Sequence, residues 1–314
     1  MRIIRHTDPM PADARGAVVA IGNFDGVHRG HRGVIAETRR IAAELGAPSA
    51  VLTFEPHPRR LFQPDAAPFR LSSLASKARA LEALGVDLMY VYAFDRAFAQ
   101  VTAEDFIGDV LAGRLGVRHV VVGEDFAFGH RRAGNVALLR ARGPAAGFGL
   151  TPAPKVLEGD AVISSNTIRA ALRAGDPAAA ARLLGHPWEI EGEVVHGDAR
   201  GRELGFPTAN VDMDDYLQPA RGIYAVRAGF EEDGRTHWHD GAASFGLRPQ
   251  FAGQDLRMEV FLMDFAGDLY GRTLRVRFHA FLRGERKFDD VAALVVQIKR
   301  DVADARTALA ADSR

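Results

Sequence analysis

The chain has 314 residues, of which 47% are hydrophobic and 25% charged, and its 40 Lys and Arg residues balance 40 Asp and Glu residues. This composition excludes a disordered or fibrous class, and the balanced charge removes the broad positive field that non-specific binding to nucleic acid or acidic membranes requires. The length predicts two domains, each large enough to bury its own core.

The chain contains no cysteine, which rules out a disulfide framework and a thiolate metal site. The N-terminal segment 1–16 lacks the apolar core of a signal peptide, and no apolar run reaches the roughly 18 to 20 residues of a membrane helix. These features predict a cytoplasmic protein that binds neither nucleic acid nor membrane. We expect a monomer or weak homo-oligomer, although no sequence feature specifies the oligomeric state.

The first half of the chain alternates short apolar runs with amphipathic segments of helical length. The apolar runs predict buried strands at 17–22, 49–54, 88–94 and 119–123. The intervening segments repeat apolar residues at helical spacing and end in glycine, which predicts helices at 31–46, 72–85 and 103–116. This pattern predicts an α/β domain with a parallel sheet and crossover helices.

The second half of the chain has a different period. After predicted helices at 165–174 and 177–184, the apolar period changes from 3.6 towards 2. Alternating segments predict strands at 188–197, 222–230, 236–246, 256–265 and 272–282, before a long helix at about 290–312. We therefore expect domains at 1–185 and 186–314, the second a small antiparallel barrel or sandwich with a terminal helix.

The segment GNFDGVHRGHR, residues 22–32, is the first chemical motif. The strand before it ends at Gly22 and a helix starts near Gly30, so His28 and His31 fall on the turn into the helix. Helix amides and two imidazoles there would bind a phosphate and stabilise the charge that develops during phosphoryl chemistry. The alternative is that His28 is a surface residue and that His31 caps or packs.

This motif resembles the His-x-Gly-His segment of the nucleotidyltransferase superfamily, in the form seen in prokaryotic bifunctional riboflavin kinase/FMN adenylyltransferases, also called FAD synthetases. Three further segments are similar to that family: TFEPHP at 53–58, VVGEDFAFGHRRAGN at 121–135 and ISSNTIR at 163–169. All four lie at strand carboxyl ends or helix starts, where open parallel sheets bind ligands. The resemblance implies a Rossmann-like nucleotidyltransferase domain.

The resemblance also assigns roles to individual residues. It implies catalytic roles for His28, His31 and Arg169, the last neutralising the β and γ phosphates of ATP. Ser164 and Ser165 would hold the triphosphate with their hydroxyls and helix amides, although the same residues also read as a helix cap. The turn before the first helix would bind the nucleotide through Gly22, Asn23, Phe24, Asp25 and Gly30.

The flavin is expected to lie near the other two segments. The resemblance places His57 near the flavin and the adenine, although the neighbouring prolines also fit a rigid turn. Asp125, Phe126 and Phe128 would supply an acceptor and flat apolar faces for the isoalloxazine ring, whereas a Phe after a strand is often a core residue. The sequence departs from the family at Asn135, where Asp is usual, and this leaves any charge-dependent role of that position open.

The segment GDARGRELGFPTANV, residues 197–211, is the second chemical motif. As structure alone it would be a glycine-rich turn before a proline-containing edge strand. Thr208 and Asn210, two apart on a strand, point to the same face and can ligate a hard cation such as Mg²⁺. The segment resembles the Pro-Thr-Ala-Asn motif of riboflavin kinases, in which Thr and Asn bind Mg²⁺ with ATP. The remaining nucleotide-binding residues are then expected to be Gly197, Gly201, Arg202, Gly205 and Pro207.

Glu259 is the expected base that takes the proton from the riboflavin hydroxyl. It lies in RMEVFLMDF, where alternation separates it from Met258 and Val260, and we expect it to point into the barrel rather than to water. The alternative is a solvated strand Glu. The catalytic Glu of the family occupies this motif. Gln250 departs from the Thr that the family commonly has, so the nearby segment is a less secure binding element.

The resemblance covers about residues 15–305 and implies two ATP-dependent reactions with Mg²⁺ as cofactor. Riboflavin is phosphorylated to FMN in the second domain, and FMN is adenylylated to FAD with release of pyrophosphate in the first. One alternative is a nucleotidyltransferase for another phosphate, such as a pantetheine or nicotinamide nucleotide. The other is a flavin-binding module with an inactive site.

Overall fold

The computed structural model describes residues 1–197, 200–250 and 253–311, and the side chains of 200, 203, 247–250 and 253–255 lie outside this description. The departure predicted at Gln250 therefore falls outside the described side chains. The chain divides into two compact units, Met1–Ala66 with Lys77–Ile163, and Ala67–Ser76 with Ser164–Arg314.

The first unit is built on a parallel sheet. Its strands are β1 (Arg2–Arg5), β2 (Val18–Ile21), β3 (Ser49–Glu55), β4 (Leu88–Ala93), β5 (His119–Gly123), β6 (Ala127–Phe128), β7 (Gly134–Asn135), β8 (Gly149–Ala153), β9 (Leu157–Glu158) and β10 (Ala161–Val162). The order β1-β4-β3-β2-β5-β8 forms the sheet, and every neighbouring pair in it is parallel. The predicted parallel Rossmann-like sheet is confirmed.

The edge strands of this sheet escaped prediction. β1 is exposed at three of its four positions, so it lacks the continuous apolar run that marks a buried strand. β8 contains Pro152, which sequence rules assign to turns because proline cannot donate a ladder hydrogen bond. An edge strand tolerates this loss, whereas every residue of the central β2 is buried.

The three helical segments predicted in the first half of the chain are present, and the structure adds two shorter helices that were not predicted. They are α1 (Arg29–Leu45), α2 (Pro58–Phe62), α3 (Leu74–Ala83), α4 (Ala103–Asp105), a π-helix at Phe106–Arg114 and α5 (Val136–Arg142), with 3₁₀ turns at Ala12–Ala14, Phe98–Gln100 and His130–Arg132. Gly46 ends α1 in a left-handed conformation, as the glycine signal predicted. The segment predicted as one helix at 103–116 widens into the π-helix after its first turn.

The second unit is a closed antiparallel barrel with helices. Its elements are α6 (Ser165–Arg173), α7 (Pro177–Leu184), β11 (Trp188–Val195), α8 (Arg200–Glu203), β12 (Thr208–Val211), β13 (Gly222–Glu232), β14 (Arg235–Gln250), β15 (Gly253–Leu262), β16 (Thr273–Gly284) and α9 (Val291–Ala311). The strand order is β11-β12-β15-β14-β13-β16, and β16 closes the barrel on β11. Of the two predicted architectures, the barrel is confirmed. Among the described residues, no helix is long and apolar enough to span a membrane.

An ion pair with a buried carboxylate fastens the terminal helix α9 to the barrel. Arg283 of β16 donates to both carboxylate oxygens of Asp301, at 2.8 and 2.6 Å, and Asp301 is only 4% exposed. Gln297 donates a third hydrogen bond to the same carboxylate at 2.9 Å. Ala305 and Leu309 of α9 pack against Ala225 and Met263 on the outside of the barrel.

We expect Asp301→Ala to lower the free energy of unfolding by about 3 kcal/mol, because it leaves the Arg283 guanidinium without its carboxylate partner. Asp304→Ala, at an exposed position of the same helix, is the control and should cost less than about 0.5 kcal/mol. Urea unfolding followed by tryptophan fluorescence measures both changes, since Trp188 and Trp238 lie in the second unit. Equal losses of unfolding free energy in the two variants would contradict the stabilising role of the ion pair between Arg283 and Asp301.

Candidate active sites

The turn that follows β2 carries the first group of predicted residues. Phe24, Gly26 and Val27 have positive φ values of 49°, 84° and 42°. For the two residues with side chains, the left-handed region costs about 1–3 kcal/mol each unless the surrounding structure enforces it. Phe24, Asp25 and Val27 are buried, so packing holds this strained turn in place.

His28 and His31 lie face to face at the start of α1. His28 is the N-cap, and its Nδ1 accepts a hydrogen bond of 3.3 Å from the backbone N–H of His31. The two ring centroids are 3.6 Å apart, and the planes are inclined by 18°. A Cβ at Gly30 would lie 3.1 Å from the His28 ring and 3.3 Å from the carbonyl oxygen of Ile163. His28 is 5% exposed, which contradicts the alternative of a surface residue.

The His31 imidazole is held in its neutral form. Burial, together with the charges of His28 and Lys77, keeps the pKa of His31 well below its usual value. Its Nδ1 is buried and has no hydrogen-bond partner among the described residues. Phe24 packs against the ring edge-on, with 5.1 Å between the centroids. A buried ring nitrogen without a partner is costly, so the His31 Nδ1 is a candidate for contact with a ligand.

A cavity of about 790 Å³ opens beside the turn in the first unit, in the size range of small-molecule sites. Phe126 and Phe128 are stacked in its wall, with 5.5 Å between centroids and 15° between planes. Four other predicted residues also line it: Gly22, Asn23, His57 and Asp125. The structure thus brings together predicted residues from three separate segments.

Sequence reasoning missed most of the aromatic lining. The cavity is also lined by Phe54, Phe62, Phe94, Phe98 and Phe106. Two of these residues end the runs 49–54 and 88–94, so their place at strand carboxyl ends was a usable signal. Arg131 and Arg132 add cations to the wall and have positive φ values of 54° and 59°. The sequence carries no comparable signal for their conformation.

Three predicted positions in this unit also have local structural partners. The Nδ1 of His57 caps α2 by accepting a backbone hydrogen bond of 3.1 Å. Asp125 pairs with Lys155 at 3.1 Å. Asn135 caps α5, and its Oδ1 accepts from the Leu138 N–H at 3.0 Å. Since Asn and Asp are equally good caps, the departure at Asn135 preserves this structural role.

Ser164 and Ser165 lie at the start of α6, in the second unit. Ser164 is the N-cap, and its Oγ accepts from the Thr167 N–H at 3.2 Å. The Thr167 Oγ1 accepts in return from the Ser164 N–H at 3.0 Å, which completes a capping box. Ser165 is the first helical residue and is half-buried. The capping interpretation of Ser164 is therefore confirmed, and it leaves Arg169 to be explained.

Arg169 is held by the chain segment 67–76, which belongs to the same unit. Its Nε donates to the carbonyl oxygen of Phe69 at 2.8 Å, and its Nη1 donates to Asn166 Oδ1 at 2.8 Å. The guanidinium also lies 5.5 Å from the centre of the Phe69 ring. The segment is itself anchored to the barrel, because the Trp188 indole donates to the Leu71 carbonyl at 3.0 Å. Arg169 is 7% exposed, so its orientation is fixed in advance.

Thr208, Asn210 and Glu259 lie together on the outer face of the barrel. Thr208 and Asn210 share one face of β12, and Asn210 is directly opposite Glu259 on β15. Met258 and Val260 are fully buried in the barrel core, so the alternation turns Glu259 outward. The expectation that Glu259 points into the barrel was wrong, because the apolar neighbours take the interior. Asn210 is nevertheless only 8% exposed.

Glycines bring the preceding loop against these side chains. A Cβ at Gly197 would lie 2.3 Å from the Asn210 Nδ2, and one at Gly201 would lie 3.3 Å from the Thr208 Oγ1. Gly205 has a φ of 83°, which a side chain would strain. The hydroxyl and carboxamide oxygens of Thr208 and Asn210 are hard, neutral donors at adjacent positions. These two oxygens suit a cation of the Mg²⁺ type, and the backbone of the glycine-containing loop lies close to them.

A smaller cavity of about 180 Å³ adjoins this face. Arg202, Pro207 and Thr208 line it, together with Phe265 and Tyr270. The two aromatic residues were not predicted, although both lie near the end of β15 or in the loop after it. The structure therefore groups these predicted barrel residues around one surface that combines polar oxygens, glycines and aromatic rings.

Two family models match separate parts of the chain. The family model described as FAD synthetase matches residues 10–167, and the one described as riboflavin kinase matches residues 184–309. A solved structure named macrolide-efflux protein, from Streptococcus pneumoniae, has a TM-score of 0.85 and 31% identity, and it covers 98% of this chain and 99% of that chain.

Curated relatives match over the full length. The bifunctional riboflavin kinase/FMN adenylyltransferase of Pseudomonas fluorescens is 44% identical, with 100% of this chain and 99% of that protein covered. The protein of the same name from Escherichia coli K12 is 42% identical, with 98% and 97% covered. That of Bacillus subtilis is 38% identical, with 97% of each covered. The chain belongs to the bifunctional riboflavin kinase/FMN adenylyltransferase family.

Proposed function

We propose that the chain converts riboflavin to FMN and then FMN to FAD, using ATP in both steps. We assign adenylyl transfer to residues 1–185 and riboflavin phosphorylation to residues 186–314. This proposal rests on two separate groups of candidate site residues in a chain whose two halves match the two family models. One site has stacked imidazoles beside an aromatic cavity, and the other has a Thr-Asn-Glu face on a barrel.

In adenylyl transfer, a phosphate oxygen of FMN attacks the α phosphorus of ATP, and the bond to pyrophosphate breaks. His28 and His31 stabilise the charge that develops on the phosphate oxygens, and the α1 N-terminus adds its dipole. The resemblance assigns Ser164, Ser165 and Arg169 to the triphosphate. The preset guanidinium of Arg169 supports this role, because its orientation costs little entropy when ATP binds.

The aromatic cavity is proposed to hold the isoalloxazine ring of FMN. Its stacked pair, Phe126 and Phe128, offers flat apolar faces to a flat ligand. Asp125 and His57 supply polar groups at the wall, and Arg131 and Arg132 supply positive charge for a phosphate. Gly22 and Asn23 line this cavity and lead directly into the turn that carries the histidines, so the cavity wall and the imidazoles belong to one short segment of the chain.

In riboflavin phosphorylation, the primary hydroxyl of riboflavin attacks the γ phosphorus of ATP, the bond from that phosphorus to ADP breaks, and ADP leaves. We propose that Glu259 accepts the hydroxyl proton, and that Thr208 and Asn210 would hold Mg²⁺. The cation, when bound, neutralises phosphate charge. Arg202 and Pro207, with the glycines at 197, 201 and 205, shape the loop that lies over the nucleotide.

The lack of cysteine suits a reducing cytoplasm. We propose that the protein is a monomer or weak homo-oligomer, and light scattering tests this proposal.

Incubation of the protein with riboflavin, ATP and magnesium, followed by chromatographic separation of flavins, tests both reactions. We expect FMN to appear first and FAD to follow, with pyrophosphate released in the second step. Supplying FMN in place of riboflavin isolates the adenylyl transfer. Absence of both products would refute the proposal, and flavin binding without ATP consumption would favour a binding module.

We expect Gly197→Ala to reduce riboflavin phosphorylation by about tenfold or more and to leave FMN adenylylation unchanged. The added Cβ would fall 2.3 Å from the Asn210 side chain, which must then move away from its position beside Thr208. Gly108→Ala is the matched control, since nothing lies within 4 Å of a Cβ there. Steady-state rates with riboflavin and with FMN measure the two activities. Normal phosphorylation by Gly197→Ala would contradict the proposed role of Asn210.

A further inference from the structure

Lys77, on α3, is a buried cation for which the reactions above have no use. Its side chain is 3% exposed. Its Nζ donates to the Oγ1 of Thr53 at 3.3 Å, and this hydroxyl in turn donates to the carbonyl oxygen of Asn23 at 3.1 Å. Thr53 lies in β3 and is fully buried. Two successive hydrogen bonds therefore link the buried Lys77 ammonium to the turn that carries the histidines.

The second of these hydrogen bonds ends at Asn23, next to the backbone with positive φ values. Asn23 immediately precedes Phe24, and the turn then passes through positive φ values at Phe24, Gly26 and Val27 before it reaches His28. Strained backbone persists only where its surroundings over-determine it. The carbonyl of Asn23 is fixed by Thr53, and the hydroxyl of Thr53 has its orientation fixed by Lys77, because an ammonium can only donate.

Lys77 also acts on the histidines through its charge. The groups whose charge acts on His31 are His28, at the start of the same helix, and Lys77. Burial is the largest cause of the low pKa of His31, and the neighbouring His28 and Lys77 lower that pKa further. Removal of the Lys77 charge therefore moves the pKa of His31 upward, towards its usual value.

We propose that Lys77 is a positioning residue of the adenylyl-transfer site, which holds the turn bearing His28 and His31 through the hydroxyl of Thr53. It touches neither substrate in this role and acts on the reaction only through the two histidines. This inference rests on the proposed adenylyltransferase function of the first unit. Lys77 lies in the predicted crossover helix at 72–85. The sequence carries no signal that assigns this lysine a role in the site.

The test compares FAD formation from FMN and ATP by full-length variants. We expect Lys77→Met to lower kcat by about 100-fold, the loss typical of a reacting group displaced by about 1 Å. We expect Thr53→Val to lower kcat by about tenfold, and Thr53→Ser, which keeps the hydroxyl, to restore most of the rate. The double variant that combines Lys77→Met with Thr53→Val should be no slower than Lys77→Met alone, because both changes break the same hydrogen-bond connection. Arg39→Met, which removes an exposed charge from α1, is the control.

Two further readouts separate positioning from loss of structure. Binding of FMN alone, followed by quenching of flavin fluorescence, should be unchanged in every variant. The acid limb of the kcat profile against pH should move to higher pH in Lys77→Met, since His31 then takes up a proton more easily, and should stay in place in Thr53→Val. FMN formation from riboflavin should remain normal, which shows that the second unit is folded, and the unchanged binding of FMN in the aromatic cavity shows the same for the first unit.

A wild-type kcat in Lys77→Met would overturn the inference, as would additive losses in the double variant or a loss of FMN binding equal to the loss of rate. If Lys77→Met does not fold, the Thr53→Val and Thr53→Ser pair decides, and equal rates in that pair overturn the inference. Failure of the wild-type protein to form FAD would instead refute the adenylyltransferase function itself, so the two failures are distinguishable.

Discussion

His28→Ala is expected to abolish most FAD formation while FMN still accumulates from riboflavin. Imidazole donors act on charge that grows in the transition state, and removal of one such group costs about 10²–10³-fold in kcat. The phosphorylation site is built from different residues on the barrel, so the rate of FMN formation should stay within about twofold of wild type. Chromatography of the flavins formed from riboflavin and ATP measures both steps in one reaction.

A second variant separates the chemistry of His28 from its structural role. His28 caps α1 through Nδ1, so His28→Ala also removes a cap and is expected to cost about 1 kcal/mol of stability. His28→Asn keeps a capping oxygen but has no imidazole, and Asn is among the best N-caps. We expect the Asn variant to be as inactive as the Ala variant and more stable. Recovery of FAD formation by Asn would show that capping, not chemistry, explains the histidine.

The sequence predicted the parts of the fold in which one local signal dominates. Buried parallel strands such as 119–123 are continuous apolar runs, and the glycine at 46 ends its helix as expected. The edge strands β1 and β8 were missed because an edge needs neither full burial nor a complete hydrogen-bond ladder. The widening of 106–114 into a π-helix has no sequence signature of its own, since its apolar spacing is also compatible with an α-helix.

The candidate sites show the same division. Short motifs located the histidine turn and the Thr208 and Asn210 pair, because each combines rare residue types at a fixed spacing. The direction of Glu259 could not be obtained in this way, since alternation gives two faces but does not say which one is inside. Lys77 and Thr53 lie far from the histidines along the chain, and only the fold brings them to the turn.

Glu259→Gln is expected to give the converse result to His28→Ala. A positioned general base contributes about 10²–10⁴-fold, so riboflavin phosphorylation should fall by that factor while adenylylation of supplied FMN continues. Glutamine has nearly the shape of glutamate but cannot accept the proton from the hydroxyl. Glu232→Gln changes an exposed carboxylate at the end of β13 and should leave both rates unchanged.

The magnesium dependence distinguishes Glu259 from its neighbour across the strand pair. Asn210→Ala removes a proposed cation ligand, so it should raise the magnesium concentration required for half-maximal phosphorylation, whereas Glu259→Gln should lower kcat at an unchanged requirement. Titration of magnesium at fixed ATP and riboflavin measures both values. The two side chains are direct partners in the strand register, so a shift of the magnesium requirement in Glu259→Gln would instead make the carboxylate a cation ligand, and the proton acceptor would have to be sought elsewhere on the barrel.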